Sequence, residues 1–197
     1  MGDGLRWLVD CDDWRYGIVF ARGITPQELA RRLGGVPGSV PSSLTGAQAW
    51  DVVMDDGTDD EDVVRVGAYG GWSFALEYGL PSAAERLVEV SRDGVEVVHL
   101  DPQPDHPPAQ FAYARNGVAV CSFGIGEEVW RWGQEPDFLL DDLVRAGVLR
   151  PDGESGRPEE EPFGDADRAT LAVLEARFGL ALPRDVEERP LPGFVIR

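Results

Sequence analysis

Residues 111–123, with the sequence FAYARNGVAVCSF, decide the fold that this chain is predicted to adopt. The β-branched and aromatic residues on both sides of Asn116-Gly117 are typical of two strands joined by a short turn. Asn-Gly favours the type I′ turn, because the twist of its backbone matches the twist of paired antiparallel strands. This stretch therefore predicts an antiparallel hairpin.

Further strands and helices are predicted before and after the hairpin. Apolar spacing and capping residues predict strands at 16–22, 63–67, 72–78 and 95–100, and helices near 26–33, 82–92, 137–145 and 165–178. The stretch 72–78 alternates apolar and polar residues, which is typical of a half-buried strand, whereas 47–54 fits a helix or a strand. Because strands and helices do not alternate regularly, we predict an α+β fold with an antiparallel-dominated sheet and flanking helices.

The chain is predicted to form a single domain over residues 1–182. Within it, residues 151–164 are rich in proline and acidic residues, which is typical of an exposed connection. Residues 183–197 contain three prolines and are predicted to be a C-terminal tail whose last residues, FVIR, fit a short edge strand.

The charge of the chain is strongly unbalanced. Thirty-six Asp and Glu residues stand against 18 basic residues, all of them Arg, which gives a formal net charge of −18 over 197 residues. Such a field repels nucleic acid and anionic membranes and attracts a basic partner. The apolar stretches fall short of the ~18 residues that a membrane helix needs, and the start lacks the apolar run of a secretory signal. We therefore expect a cytoplasmic protein with a basic protein partner, and we leave its oligomeric state open.

Four stretches resemble an uncharacterised domain family that is frequent in actinobacteria with GC-rich genomes. They are FARGITPQELARRLGG at 20–35, GGWSFALEYG at 70–79, FAYARNGVAVCSFG at 111–124 and DRATLAVLEARFGLAL at 167–182. Within them, the RGxTPxE turn, the GGW start of a strand and the RxG hairpin carry the resemblance, which spans about residues 14–182. It implies one domain, and it implies no catalytic residues, because the family has no known function.

Trp130 and Trp132 are the most informative candidate binding residues, because acidic residues bracket them. An exposed aromatic pair with an acidic rim is typical of a hot spot that binds a basic protein. The alternative is that both indoles cover the edge of a core beneath the helix that follows. Our first hypothesis is a non-enzymatic interaction domain, of the immunity type or an adaptor. Its predicted binding residues are Trp130, Trp132, Glu127 and Glu128, with Asp59, Asp60 and Asp62 setting the field.

A small enzyme or ligand-binding domain is the alternative function. Its pocket would lie where the proline-rich loop 101–108 meets the sheet, with His99, Asp101, His106 and Cys121 as candidate residues. The two histidines and Asp101 are suitable zinc ligands, but no further strong ligand lies nearby in the sequence. Cys121 lies in an alternating strand, where a buried thiol is expected. We therefore expect no catalytic residue, no metal site and no cofactor.

Overall fold

An antiparallel sheet of eight strands forms the centre of the computed structural model, which describes residues 4–10, 14–40, 43–55, 62–79, 83–157 and 163–196. The strands are β1 Gly17–Arg22, β2 Gly35–Val36, β3 Asp62–Tyr69, β4 Trp72–Tyr78, β5 Glu96–Asp101, β6 Gln110–Arg115, β7 Val118–Gly124 and β8 Gly193–Ile196. Their order across the sheet is β2-β8-β3-β4-β1-β5-β6-β7, and each neighbouring pair is antiparallel.

Helices of very different lengths connect these strands. They are α1 Pro26–Arg32, α2 Gly46–Val53, α3 Ala83–Val90, α4 Leu140–Arg145 and α5 Phe163–Phe178, with 3-10 helices at Arg6–Asp10, Glu128–Trp130 and Pro136–Leu139. The predicted α+β class, with one domain and an antiparallel sheet, is therefore confirmed. The stretch 47–54, which fitted either state, is helical, and a capping box between Thr45 and Gln48 starts it.

The predicted hairpin is formed by β6 and β7. Arg115 pairs with Val118, so Asn116 and Gly117 form a two-residue turn, and both have positive φ, 54° and 77°. A type I′ turn requires this left-handed backbone at both positions, and Asn and Gly adopt it at the lowest steric cost. The two-residue turn predicted from the Asn-Gly sequence is therefore present in the structure.

Helices cover the two faces of the sheet unequally. The first face carries the large aromatic residues, including Trp72, Phe111 and Phe123, and is covered by α2, α4 and α5. The second face carries smaller residues such as Val19 and Val97, and is covered by α1 and α3. Because both faces are covered, every position of β4 is buried. The prediction that residues 72–78 form a half-buried strand is wrong for this reason.

The C-terminal residues 193–196 contribute a strand to the sheet. β8 pairs with β3 on one side and with β2 on the other, so it is not the edge strand that the sequence suggested. The two-residue strand β2, followed by Pro37, forms that edge instead. The stretch that we separated as a tail is thus packed against the domain.

Arg65 on β3 fastens residues 186–189 to the sheet. Its guanidinium is fully buried and makes five hydrogen bonds, to the Leu44, Val186 and Arg189 carbonyls, the Tyr78 hydroxyl and Glu187 Oε1. Since an arginine has five N–H donors, each of them is satisfied. This arrangement holds the chain in place and leaves Arg65 no donor for a ligand.

Candidate functional site

The segment 132–135 returns along β7 and pairs with this edge of the sheet. Trp132 and Ser122 exchange two backbone hydrogen bonds, each 2.8 Å long. The Gln134 amide donates to the Ala119 carbonyl at 3.0 Å, and the Glu135 amide donates to the Val120 carbonyl at 2.8 Å. The backbone that carries Trp132 is therefore fixed by four hydrogen bonds to a core strand.

Gly133 makes this close approach achievable. Its φ is +127°, a conformation that residues with a side chain rarely adopt. A Cβ atom at this position would lie 2.4 Å from the Val120 carbonyl oxygen, well inside van der Waals contact. Glycine is thus required for the segment to lie flat against β7, and the position of Trp132 depends on it.

Both indoles of the segment face solvent. The exposed fraction is 75% for Trp130 and 53% for Trp132. Among the described residues, the other exposed large hydrophobic side chains are Met54, Val88 and Val118, and the two valines are less exposed than either indole. Of the two alternatives for this pair, a covered core edge or a solvent-facing surface, the structure shows the second.

Arg131, the residue between the two tryptophans, is turned away from them. Its Nε donates to Asp137 Oδ1 at 2.7 Å, and its Nη1 lies near the carbonyls of Glu128 and Gly153. These contacts neutralise Arg131 and bring the loop around Gly153 against the segment. The positive charge within the sequence WRW therefore does not cancel the acidic charge around the indoles.

Four exposed carboxylates belong to this region. Glu127 precedes the 3-10 helix that carries Trp130, and Glu135 ends the segment paired with β7. Asp152 and Glu154 flank Gly153 in the loop that Arg131 holds. Within the described parts of the chain, none of the four forms an ion pair with an arginine. We refer to Trp130, Trp132, Glu127, Glu135, Asp152 and Glu154 together as the indole surface.

Glu128, which we predicted to be part of the exposed rim, is buried instead, with an exposed fraction of 2%. Its Oε1 accepts hydrogen bonds from the Gly126 amide at 2.9 Å, from Arg157 Nη2 at 3.0 Å and from the Thr170 hydroxyl. A buried carboxylate needs such donors to compensate for lost hydration. Glu128 therefore anchors the turn from inside, and only its neighbour Glu127 remains at the surface.

A second carboxylate, the half-buried Asp167 on α5, lies near this cluster. Burial raises the pKa of Asp167 to about 6, and the charge of Glu128 raises it as well, while Arg157 opposes both. Arg157 and Thr170 were not among the predicted site residues. A sequence gives no signal for them, because they lie 29 and 42 residues from Glu128 along the chain.

The residues predicted to set the field lie elsewhere. Asp59 and Asp60 fall outside the described residues. Asp62 begins β3, which is five strands away from β7 in the sheet. At a strand spacing of about 4.8 Å, this separation is roughly 24 Å, more than twice the Debye length at physiological salt. Asp62 therefore contributes to the overall charge, but it is not part of the indole surface.

Comparison with known proteins matches residues 7–186 to a family of unknown function, DUF6461. The chain belongs to DUF6461. No curated protein and no solved structure matches it. Among the described residues of this DUF6461 chain, no helix combines the length and apolar character that crossing a membrane requires.

The residues of the alternative pocket are not brought together in this DUF6461 domain. His99 pairs with Ala112 and projects from the second face, whereas Cys121 pairs with Tyr113 and belongs to the core of the first face. His106 is exposed in the proline-rich loop. Burial raises the pKa of the Cys121 thiol to about 12, and its Sγ lies 3.3 Å from the Pro136 carbonyl oxygen. Cys121 and His99 are separated by the sheet and cannot act as a nucleophile and its base.

His99 instead meets Glu77, a residue that the sequence did not suggest. The two side chains are buried, and His99 Nε2 lies 3.3 Å from Glu77 Oε2. Glu77 is on β4 and His99 on β5, so they meet across β1, where Gly17 stands opposite Glu77 and has no side chain. The other Glu77 oxygen accepts from the Ala83 amide at the start of α3.

This pair connects the sheet to a helix. Asp101, on the same strand as His99, is occupied by the backbone and side chain of Gln103. Within the described ranges, no group of three or more His, Cys, Asp or Glu side chains is arranged to hold a metal ion.

Proposed function

We propose that this DUF6461 chain is a non-enzymatic cytoplasmic domain that binds a basic protein through the indole surface, as an immunity-type protein or an adaptor. The observation that supports the proposal is the exposure of Trp130 and Trp132, the second of them on a backbone fixed to the sheet, together with four exposed carboxylates that form no ion pair with an arginine among the described residues. Exposed tryptophans are uncommon in soluble proteins, and tryptophan is enriched among the residues that dominate binding energy.

The fixed backbone favours binding because little order has to be gained in the complex. Four hydrogen bonds to β7 already hold residues 132–135. Ordering a flexible segment would otherwise oppose association. Each indole that becomes buried against a partner is expected to contribute about 2 kcal/mol or more, as hot-spot tryptophans do.

The charge of the chain supports the choice of a basic partner. A net charge of −18 attracts a cationic protein at long range, and the carboxylates of the indole surface meet it at contact. Attraction of this kind raises association rates by roughly 10- to 1,000-fold and weakens as salt is added. A nucleic acid or an anionic membrane would be repelled by the same field.

Affinity capture from the source cells tests this function. The wild-type chain and the double variant Trp130→Ala/Trp132→Ala serve as baits, with Met54→Ala as a matched control. Met54 is 70% exposed but lies at the end of α2, away from the indole surface. We expect the wild type and Met54→Ala to retain the same basic protein and the double variant to lose it.

The captured protein is then titrated against each variant in a calorimeter. The expected loss for the double variant is at least 100-fold in affinity, about 2.7 kcal/mol. Equal binding by all three baits, or capture of acidic proteins only, would show that the indole surface does not have this function.

A further inference from the structure

We propose that the indole surface recognises arginine side chains, with guanidinium groups of the partner stacked on Trp130 and Trp132 and paired with the neighbouring carboxylates. The inference rests on the proposed function and adds which basic group of the partner is recognised. An arginine-rich segment is thus the expected ligand, and a lysine-rich segment of equal charge is expected to bind more weakly.

The chain already uses this arrangement within its own fold. The Arg22 guanidinium lies over the ring of Trp72, with its Cζ 4.2 Å from the ring centroid. At its edge, Arg22 Nη1 donates to Glu96 Oε2 at 3.2 Å. Arg177 lies over Phe138 in the same way, at 4.7 Å, and its Nη1 is 3.7 Å from Asp142 Oδ2. Each site combines a ring face with a carboxylate at the edge of the guanidinium.

Each of these two internal sites has three components: a ring face, a carboxylate and a guanidinium. The indole surface has the first two. It offers exposed ring faces on Trp130 and Trp132 and the carboxylates of Glu127, Glu135, Asp152 and Glu154. In the part of the chain that the structure describes, no arginine lies over either indole. The missing component is a guanidinium, which a partner would supply.

Two arginines of this region are bound to other groups. Arg131 is held by Asp137 and by two backbone carbonyls, and Arg157 points inward to Glu128 and Thr170. Moving either one onto an indole would break these contacts, and moving Arg157 would also take a donor from the buried carboxylate of Glu128. The ring faces therefore remain accessible to a group from outside.

Arginine fits this surface better than lysine for physical reasons. A guanidinium is flat and weakly hydrated, so it stacks on an indole and keeps its N–H groups directed at carboxylates in the plane. A lysine ammonium is a compact, strongly hydrated charge that loses more hydration on the same ring. Tryptophan is the best aromatic partner for a cation, and an exposed pair contributes about 0.5–1 kcal/mol.

Two labelled peptides of equal length and charge, nona-arginine and nona-lysine, provide the test by fluorescence anisotropy at physiological salt. For the wild-type chain, we expect roughly tenfold tighter binding of nona-arginine, because two rings contribute. Trp130→Leu/Trp132→Leu is expected to abolish this preference and to leave both peptides with equal, weak, charge-driven binding. Glu127→Gln/Glu135→Gln is expected to weaken both peptides, and Met54→Leu is the control that changes neither.

The outcomes separate the two proposals. If both peptides bind the wild type equally and both are lost in the double leucine variant, the indole surface binds basic chains and only the preference for arginine is overturned. If the tryptophan substitutions affect neither peptide, the proposed function is overturned as well. The substituted side chains are exposed, and thermal unfolding of each variant verifies that the fold is kept.

Discussion

Arg65 Nη1 lies 2.9 Å from Glu187 Oε1, although 122 residues separate the two along the chain. The same carboxylate oxygen accepts the Tyr78 hydroxyl at 2.5 Å, and burial together with the Glu187 charge raises the pKa of Tyr78 above its usual range. Residues 186–189 therefore share a polar cluster around the buried Arg65 guanidinium with β3 and β4, and this contact is expected to contribute strongly to the stability of the domain.

Arg65→Ala is expected to lower the free energy of unfolding by roughly 3–5 kcal/mol, because it removes a fully buried guanidinium and leaves its hydrogen-bond acceptors, among them the buried Leu44 and Val186 carbonyls, without a donor. Urea unfolding followed by circular dichroism measures the loss. Arg31→Gln is the matched control, since Arg31 pairs with Glu28 at the surface, and its unfolding midpoint should hardly change. A loss below about 1 kcal/mol in Arg65→Ala would contradict a structural role for the cluster.

Gly133→Ala is expected to move residues 132–135 away from β7. The added Cβ would meet the Val120 carbonyl oxygen, and we expect a loss of about 1–3 kcal/mol in unfolding free energy together with faster hydrogen exchange at the Ser122 amide. Gly147→Ala is the control, because Gly147 also has positive φ, 77°, but a Cβ there meets no atom within 4 Å. If both variants lose the same stability and Ser122 stays protected, the close approach does not constrain the segment.

Asp167 is expected to make stability fall as the pH rises. Its pKa is raised from 3.8 to about 6 in the folded chain, so the folded state binds the proton more tightly than the unfolded state. The stabilising effect of the proton is complete below about pH 4 and is lost as the pH rises through about 6. Asp167→Asn should therefore gain roughly 1–2 kcal/mol near pH 8, after allowance for partial solvent access, and nothing near pH 4.

Urea unfolding of the wild type and Asp167→Asn across this pH range measures the difference. Asp185→Asn serves as the control, because Arg189 lowers the pKa of Asp185 and the expected pH dependence has the opposite sign. A constant difference between the wild type and Asp167→Asn at all pH values would contradict the raised pKa.

Cys121 is expected to resist thiol reagents in the native chain. Burial raises its pKa to about 12, so at neutral pH the group is a thiol and not the reactive thiolate. In a Cys11→Ser background, which removes the cysteine outside the described residues, Ellman's reagent should react only when urea unfolds the chain. Rapid labelling of the native protein would restore Cys121 as a candidate nucleophile.

Sequence patterns correctly predicted those turns and strands whose conformation is set by residues adjacent in the chain. The Asn-Gly turn was predicted because its chemistry is contained in two residues, and β4 has the bounds that its alternation gives. The burial of β4 on both faces was not predicted, because it depends on α1 and α3 covering the second face. Sequence spacing carries no information about such packing between distant segments.

The candidate site was predicted in part for the same reason. The tryptophan pair was recognised from its composition, and only the structure shows that both indoles are exposed. The adjacent residues Glu127 and Glu128 are chemically alike, and the choice of which one is buried depends on Arg157 and Thr170 far along the chain. The contact between His99 and Glu77 depends on β1 passing between them with glycine at position 17.

The covering of β7 by residues 132–135 also bears on how the protein behaves at high concentration. A bare outer strand offers a row of amide and carbonyl groups on which another molecule can grow by strand addition. At one edge of this sheet, the outer strand β2 has only two residues and is followed by Pro37. At the other edge, residues 132–135 form hydrogen bonds with the outer strand β7. The segment that displays the tryptophans is thus also expected to hinder strand addition, and with it fibrous aggregation, at this edge.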